Sequence, residues 1–288
     1  MKSIRLNNNV DIPQIGMGLF QVKENSVSKE VLKEAVHMGY RLFDTASFYN
    51  NENMLGEVIR ESGIKREEFF ITSKVWIHSD GYENTKRSFD ESLEKLGLEY
   101  LDLYLIHQPF GDYYGAWRAM GNLYHQKKIR AIGVSNFSED RLLDLILNTK
   151  IVPAINQIEL HPFYHQVGLK KLMKDYGVQV QAWGPLCEGM KNIFHQPSLI
   201  DIAQKYDKSV AQVVLRWHIQ SGHIAIPKSQ SITHLKENIE LWDFDLDEED
   251  MVQIRLLDMG YSEIIDHRNL VVVKSLNVCA NHKKDQCR

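Results

Sequence analysis

Residues 100–107, YLDLYLIH, form a nearly continuous apolar run of strand length that ends on a titratable side chain. A strand exposed on one face alternates apolar with polar residues. A strand covered on both faces has no polar side to show, so this run fits the interior of a parallel sheet. Seven further runs of the same kind flank it: IGMGLF (15–20), YRLFDTA (40–46), FFITSKV (69–75), IRAIGVS (129–135), AINQIEL (154–160), VQVQAW (178–183) and HIAIPKS (223–229). Between them, VSKEVLKEAVHM, GYENTKRSFDESLEKL, AWRAMGNLYHQ, EDRLLDLILN, VGLKKLMKDY and PSLIDIAQKY repeat apolar residues at intervals of three and four, the spacing of a helix with one buried face. Strand and helix alternating through eight units predict an α/β fold, a TIM (β/α)8 barrel over about residues 14–260. An open doubly wound sheet is the rival. It would normally carry G-x-G-x-x-G after its first strand, and GMGLFQV (16–22) lacks the third glycine.

The opening SIRLNNNVDIP (3–13) reads as two short strands about an asparagine turn, an N-terminal β-hairpin cap placed to plug one end of the barrel. ENIELWDFDLDEEDMVQIRLLDM (237–259) reads as helix, loop and helix, with Asp247 as an N-cap. Residues 261–288 read as a polar C-terminal tail in which NLVVV (269–273) is out of keeping: it lines the pocket, meets another subunit or stays loose. With 43% hydrophobic and 25% charged residues, the composition is that of a globular enzyme, and a single domain over 1–288 is expected. A net charge of -4 gives no electrostatic case for nucleic acid. No run approaches the roughly 18 apolar residues of a membrane span, and MKSIRLNNNV lacks the apolar centre of a secretion signal, so a cytoplasmic location and no membrane partner are expected. Cys187, Cys279 and Cys287 are too few for a disulfide framework, and the last two read as bystanders. A monomer or weak dimer is expected.

In a barrel of this kind the chemistry sits at the C-terminal ends of the strands. Asp44 ends YRLFD, Lys74 ends FFITSK, His107 ends YLDLYLIH, and Tyr49 follows Asp44 by one short loop. Alone, each has an ordinary structural use: a turn or cap, a solvated cation, a hydrogen-bonded ring, a packing aromatic. Converging on one barrel mouth, a carboxylate, an ammonium, a phenol and an imidazole can transfer protons. A metal-dependent barrel would have to draw on His107, His161 and His165, but HPFYH (161–165) lies in a loop and no carboxylate–histidine pattern recurs, so no metal is expected.

The segments GYRLFDTASFYNNE, FITSKVW, LDLYLIHQP, IGVSNF, INQIEL and IPKS resemble, in order and spacing, the signatures of the aldo-keto reductase superfamily, over roughly residues 5–260. The likeness is nearest to bacterial reductases of small aldehydes and keto sugars. It implies an oxidoreductase in which hydride passes from NADPH to a carbonyl while Tyr49 gives the proton. Asp44, Lys74 and His107 complete that quartet: Lys74 is expected to lower the Tyr49 pKa, Asp44 to hold Lys74, and His107 to orient the carbonyl. It further implies that Ser135, Asn136 and Gln157 bind the cofactor's carboxamide, that Trp183 stacks on its ring, and that Gly184, Pro185 and Leu186 lead into the loop over its pyrophosphate. Lys228 and Ser229 fall where the family binds the adenosine 2′-phosphate, with Glu237 and Asn238 at the adenine. A non-catalytic subunit or redox sensor on the same fold is the alternative, against which the intact quartet speaks.

Three departures bear on this. His234 stands where the family usually has an arginine, and a mostly neutral imidazole grips a phosphate less well than a guanidinium, so NADH is possible beside NADPH. Gly184 replaces a common serine. Gln108 replaces a common tryptophan and offers an amide to a hydroxylated or dicarbonyl substrate, with Phe20, Trp76 and Phe110 as apolar walls. The short stretch QPFGDYYGAW (108–117) suggests an open site for small-molecule carbonyl substrates.

Overall fold

The computed structural model describes residues 2–262 and 264–281. β1 (Ser3–Arg5) and β2 (Asp11–Pro13) form the expected antiparallel hairpin, with Ile4 opposite Ile12. The turn asparagines tie it to the barrel floor: Asn7 donates to the Pro153 carbonyl (3.0 Å) and Asn8 to that of Arg130 (2.9 Å). Leu6 and Ile12 then pack against Leu42, Phe70, Leu103, Ala131, Ile155 and Ile224. The hairpin is a plug made from the same apolar chemistry as the strands above it.

Eight parallel strands follow in chain order: β3 (Met17–Gly18), β4 (Leu42–Asp44), β5 (Phe70–Val75), β6 (Leu101–Ile106), β7 (Ile129–Ser135), β8 (Ile155–Glu159), β9 (Gln179–Trp183) and β10 (Ile224–Ala225). The sheet closes between its ends, where the Ala225 N–H donates to Gln14 (2.9 Å), Gly16 to Ala225 (3.0 Å) and Gly18 to Pro227 (3.1 Å). This is the predicted TIM barrel. Asp102, the one charge inside the run that predicted β6, is wholly buried and fully used: it accepts from Arg66 (2.7 Å), Arg130 (2.6 Å) and the Ile71 N–H (2.8 Å).

The helices are α1 (Ser26–His37), α2 (Glu52–Glu61), α3 (Tyr82–Leu96), α4 (Tyr113–His125), α5 (Glu139–Asn148), α6 (Val167–Asp175), α7 (Pro197–Tyr206), α8 (Val210–Gln220), α9 (Ile232–Ile239), α10 (Glu248–Arg255) and α11 (Leu270–Asn281). The main core lies between them and the outer faces of the strands. Asp247 caps α10 as expected, in a reciprocal capping box with Asp250. Three helices, α2, α8 and α11, lie beyond those read from the sequence. In α8, Gln212 through Ile219 are all buried, which leaves no polar face to generate a period. The expectation of a polar tail is corrected over 270–281, where the chain is the helix α11. Cys279 belongs to that helix, and Cys287 lies outside the described residues. No helix among the described residues is long and apolar enough to cross a membrane.

Candidate active site

The three polar strand ends and Tyr49 meet. Asp44 and Lys74 sit on the neighbouring strands β4 and β5, His107 directly follows β6, and Tyr49 ends a short 3-10 turn (Ser47–Tyr49) after β4. That turn is tied down from below: Ser47 donates to the Lys74 carbonyl (2.9 Å). The buried Asn51 donates to the carbonyls of Leu19 (2.8 Å) and Val22 (2.9 Å) and accepts from Thr45 (2.6 Å). Asn51 lay unnoticed within NNE, since an asparagine after a strand reads as a turn residue.

The Lys74 ammonium is wholly buried and donates to Asp44, to the Thr45 carbonyl (3.0 Å) and to the Tyr49 hydroxyl (3.4 Å). The Tyr49 hydroxyl also lies 3.4 Å from His107 Nε2. Gln157 donates to the other Asp44 oxygen (2.7 Å), so both carboxylate oxygens are occupied. Burial pushes Asp44 up and Lys74 down, each opposed by its partner's charge. Burial, then Lys74, then His267 push the His107 pKa well below the usual imidazole value, so this ring is neutral at pH 7.

Tyr49 runs against expectation. Its pKa is well above 10, raised first by burial and then by the charges of Asp44 and Glu188. The ammonium was expected to lower it, but Lys74 is neutralised by Asp44, so the phenol faces an ion pair rather than a free cation and desolvation decides the sign. The group is a firmly protonated donor.

Beside the quartet stand residues the resemblance assigns to a cofactor. Asn136, at φ 64°, donates to the His107 carbonyl (3.0 Å) and accepts from Trp183 Nε1 (2.8 Å), and Ser135 donates to the Gln157 carbonyl (3.1 Å). Gly184 (φ 57°), Pro185 and Leu186 leave β9 next to them. Lys228 and His234 are exposed, Glu237 is half-buried, and Ser229 and Asn238 are buried, on the loop after β10 and on α9. Ser229 shapes that loop by accepting from the Ser231 N–H (3.1 Å).

The apolar wall is also assembled. Trp76 meets His107 edge-on (4.8 Å between ring centres), Phe48 stacks on Trp76 (4.1 Å), and Phe20 lies tilted against Tyr49 (5.2 Å). Phe110 packs with Trp76 and Ile77, and Val273 and Leu276 of α11 rest on that group. Sequence reasoning missed Phe48 and Leu276, while Val273 belongs to the NLVVV run, for which lining the pocket was one of three readings. The open site is therefore corrected: the loop after β6 is short, but the tail covers what it leaves bare. His161 and His165 stand apart from His107, one hydrogen-bonded to Glu159 (3.1 Å) and the other against Trp217.

An eight-stranded parallel barrel with a carboxylate, an ammonium, a phenol and an imidazole gathered at its C-terminal mouth has the architecture of a barrel enzyme. The family model described as aldo/keto reductase family matches residues 14–258, and the chain belongs to that family. It is 46% identical to the glyoxal reductase of Bacillus subtilis, over 89% of this chain and 92% of that protein. Among solved structures it superposes with TM-score 0.90 on MGS-M4, an aldo-keto reductase from a Medee basin deep-sea metagenome library, at 39% identity over 93% of this chain and 99% of the other. A Bombyx mori aldo-keto reductase in complex with NADP gives TM-score 0.86 at 34% identity, over 92% and 95% of the two chains.

Proposed function

We propose that this chain reduces small aldehydes and ketones, dicarbonyls among them, to alcohols with NADPH, and that Tyr49 gives the proton. The observation that carries the reading is the Tyr49 hydroxyl, held 3.4 Å from both the Lys74 ammonium and His107 Nε2 at the barrel mouth. A nicotinamide bound against Trp183, its carboxamide on Ser135, Asn136 and Gln157, would supply hydride to the carbonyl carbon; the solved NADP complex of the silkworm relative supports that choice. The chain's own part is to hold the carbonyl oxygen between Tyr49 and His107. Tyr49, protonated because it is buried, donates as negative charge develops on that oxygen. Lys74 then stabilises the phenolate left behind, and Asp44 and Gln157 keep Lys74 in place. The neutral His107 ring orients the substrate oxygen. Gln108, buried beside Asn136, offers an amide to a second oxygen on the substrate, which fits a dicarbonyl and agrees with the glyoxal reductase relative.

Tyr49→Phe tests the assignment. Loss of roughly 10²–10⁴-fold in kcat is expected, with the NADPH Kd from fluorescence titration unchanged. A variant that keeps more than about a tenth of kcat removes Tyr49 from the acid role. Cofactor choice rests on Lys228, with His234 in place of arginine narrowing the margin. A kcat/KM higher with NADH than with NADPH would overturn it.

A further inference from the structure

Side chains alternate along β5, so Lys74 points into the barrel mouth while its neighbour Ser73 points outward, beneath α2. The layer between α2, α3 and the strands is built from core residues such as Leu55, Val58, Phe89 and Leu96. Glu52, in the first turn of α2, sets a carboxylate into that layer: it is 1% exposed and accepts from the Ser73 hydroxyl at 2.7 Å. Its other oxygen is buried without a hydrogen bond, and Lys95 of α3 stands 3.8 Å away. A buried carboxylate satisfied on one side only is costly, and packing alone would favour an apolar residue here.

The use of this carboxylate follows from its place in the chain, three residues after Tyr49. Residues 47–52 carry the phenol, and both ends of that stretch are bonded to β5: Ser47 donates to the Lys74 carbonyl (2.9 Å), and Glu52 accepts from Ser73. The bonds of Asn51 go elsewhere, to Thr45 and to the carbonyls of Leu19 and Val22. Lys74 belongs to β5, so the two end bonds set how far the Tyr49 hydroxyl stands from the ammonium, 3.4 Å. α2 has no room to slide in compensation, since a Cβ on Gly56 would lie 2.2 Å from the Leu96 carbonyl oxygen at the end of α3. Burial disfavours the Lys74 ammonium, and the charge of Glu52 joins that of Asp44 in opposing this.

We propose that Glu52 is a positioning residue for the proton transfer: through Ser73 it holds the turn that carries Tyr49 at a fixed reach from Lys74. This rests on the reading of Tyr49 as the proton donor. Glu52→Ala, and Ser73→Ala from the other side, should each lower kcat for a short aldehyde about tenfold, with KM and the NADPH Kd unchanged. The double alanine variant should lose no more than either single one, because both remove the same bond. Glu52→Gln keeps an acceptor for Ser73 and should retain most of kcat, whereas Glu52→Asp keeps the charge but falls short of the hydroxyl and should behave like alanine. Urea midpoints measured alongside report the cost to the fold. Wild-type kcat in both single alanine variants, additive losses in the double variant, or equal losses in Glu52→Gln and Glu52→Ala would overturn the proposal. A wild-type enzyme that turns over no aldehyde overturns the reductase reading instead. The crystal structure of Ser73→Ala then decides the positioning role by itself: a Tyr49 hydroxyl displaced from Lys74 supports it, and one left in place overturns it.

Discussion

Lys74 shows how much of the site is set by one side chain. It has no exposed surface, and its ammonium is shared among Asp44, a backbone carbonyl and the phenol it would assist. Lys74→Met leaves Asp44 buried and without its cation, so it should cost about 3–5 kcal/mol in urea unfolding as well as abolishing turnover. Asp44→Asn combined with Lys74→Met should recover most of that stability but none of the turnover, which separates the structural cost of a broken pair from its chemical use. The pH response belongs instead to the buried Tyr49. With Tyr49 raised well above 10 the phenol stays protonated across the working range, so kcat for reduction should be flat between about pH 6 and 9. A fall in kcat with an apparent pKa near 8 would show that Lys74 acts on the phenol as a free cation after all.

The elements differ in how far they could be read from residues, and the difference is physical. β5 and β6 were legible because strands covered on both faces leave a continuous apolar run, and the polar residue that ends each run marks the mouth. Asp44, Lys74 and His107 could be found that way; Tyr49 required a loop of known length. α8 was not legible because it is buried all round, and α11 was not because the short run LVVV shows no helical period and its partner surface, Trp76, Ile77 and Phe110, lies far earlier in the chain. Strand contacts are likewise invisible in a run of letters. Gly133 in β7 is an example, since a Cβ there would stand 2.6 Å from the Ile155 carbonyl oxygen of β8. Gly133→Ala should therefore part β7 from β8 and cost about 1–3 kcal/mol. Because β7 and β8 carry Ser135 and Gln157, NADPH affinity should weaken with it. An alanine variant of wild-type stability and affinity would show that the two strands can separate freely.

At the scale of the whole molecule, the barrel buries imidazoles deeply enough that desolvation outweighs any nearby charge, and this limits its acid tolerance. His165, His218 and His223 surround Trp217 at ring separations of 4.9, 4.5 and 6.0 Å, and each has a ring nitrogen without a hydrogen bond. Burial holds His165 at about 4, His223 at about 3 and His218 well below the ordinary value; Lys170 opposes protonation of all three, while Asp258 and the Pro162 backbone at His165 and the Pro185 backbone at His218 favour it less strongly. The folded pKa values lie below the unfolded value near 6.5. Above pH 7 both states are neutral at these rings and nothing is gained or lost. As pH falls below about 6.5 the unfolded chain takes up protons that the native state refuses, so stability drops, by up to about 1.4 kcal/mol per pH unit for each ring. These three rings alone account for roughly 4 kcal/mol of stability lost between pH 7.5 and pH 5.5, before most carboxylates begin to titrate, and the depressed rings of His107 and His267 add to it. Urea unfolding at the two pH values measures this directly, and His223→Gln should remove about 1.4 kcal/mol of the difference, one ring's share. Equal stability at pH 5.5 and 7.5 would mean that the rings are protonated in the folded state, which their burial around Trp217 forbids.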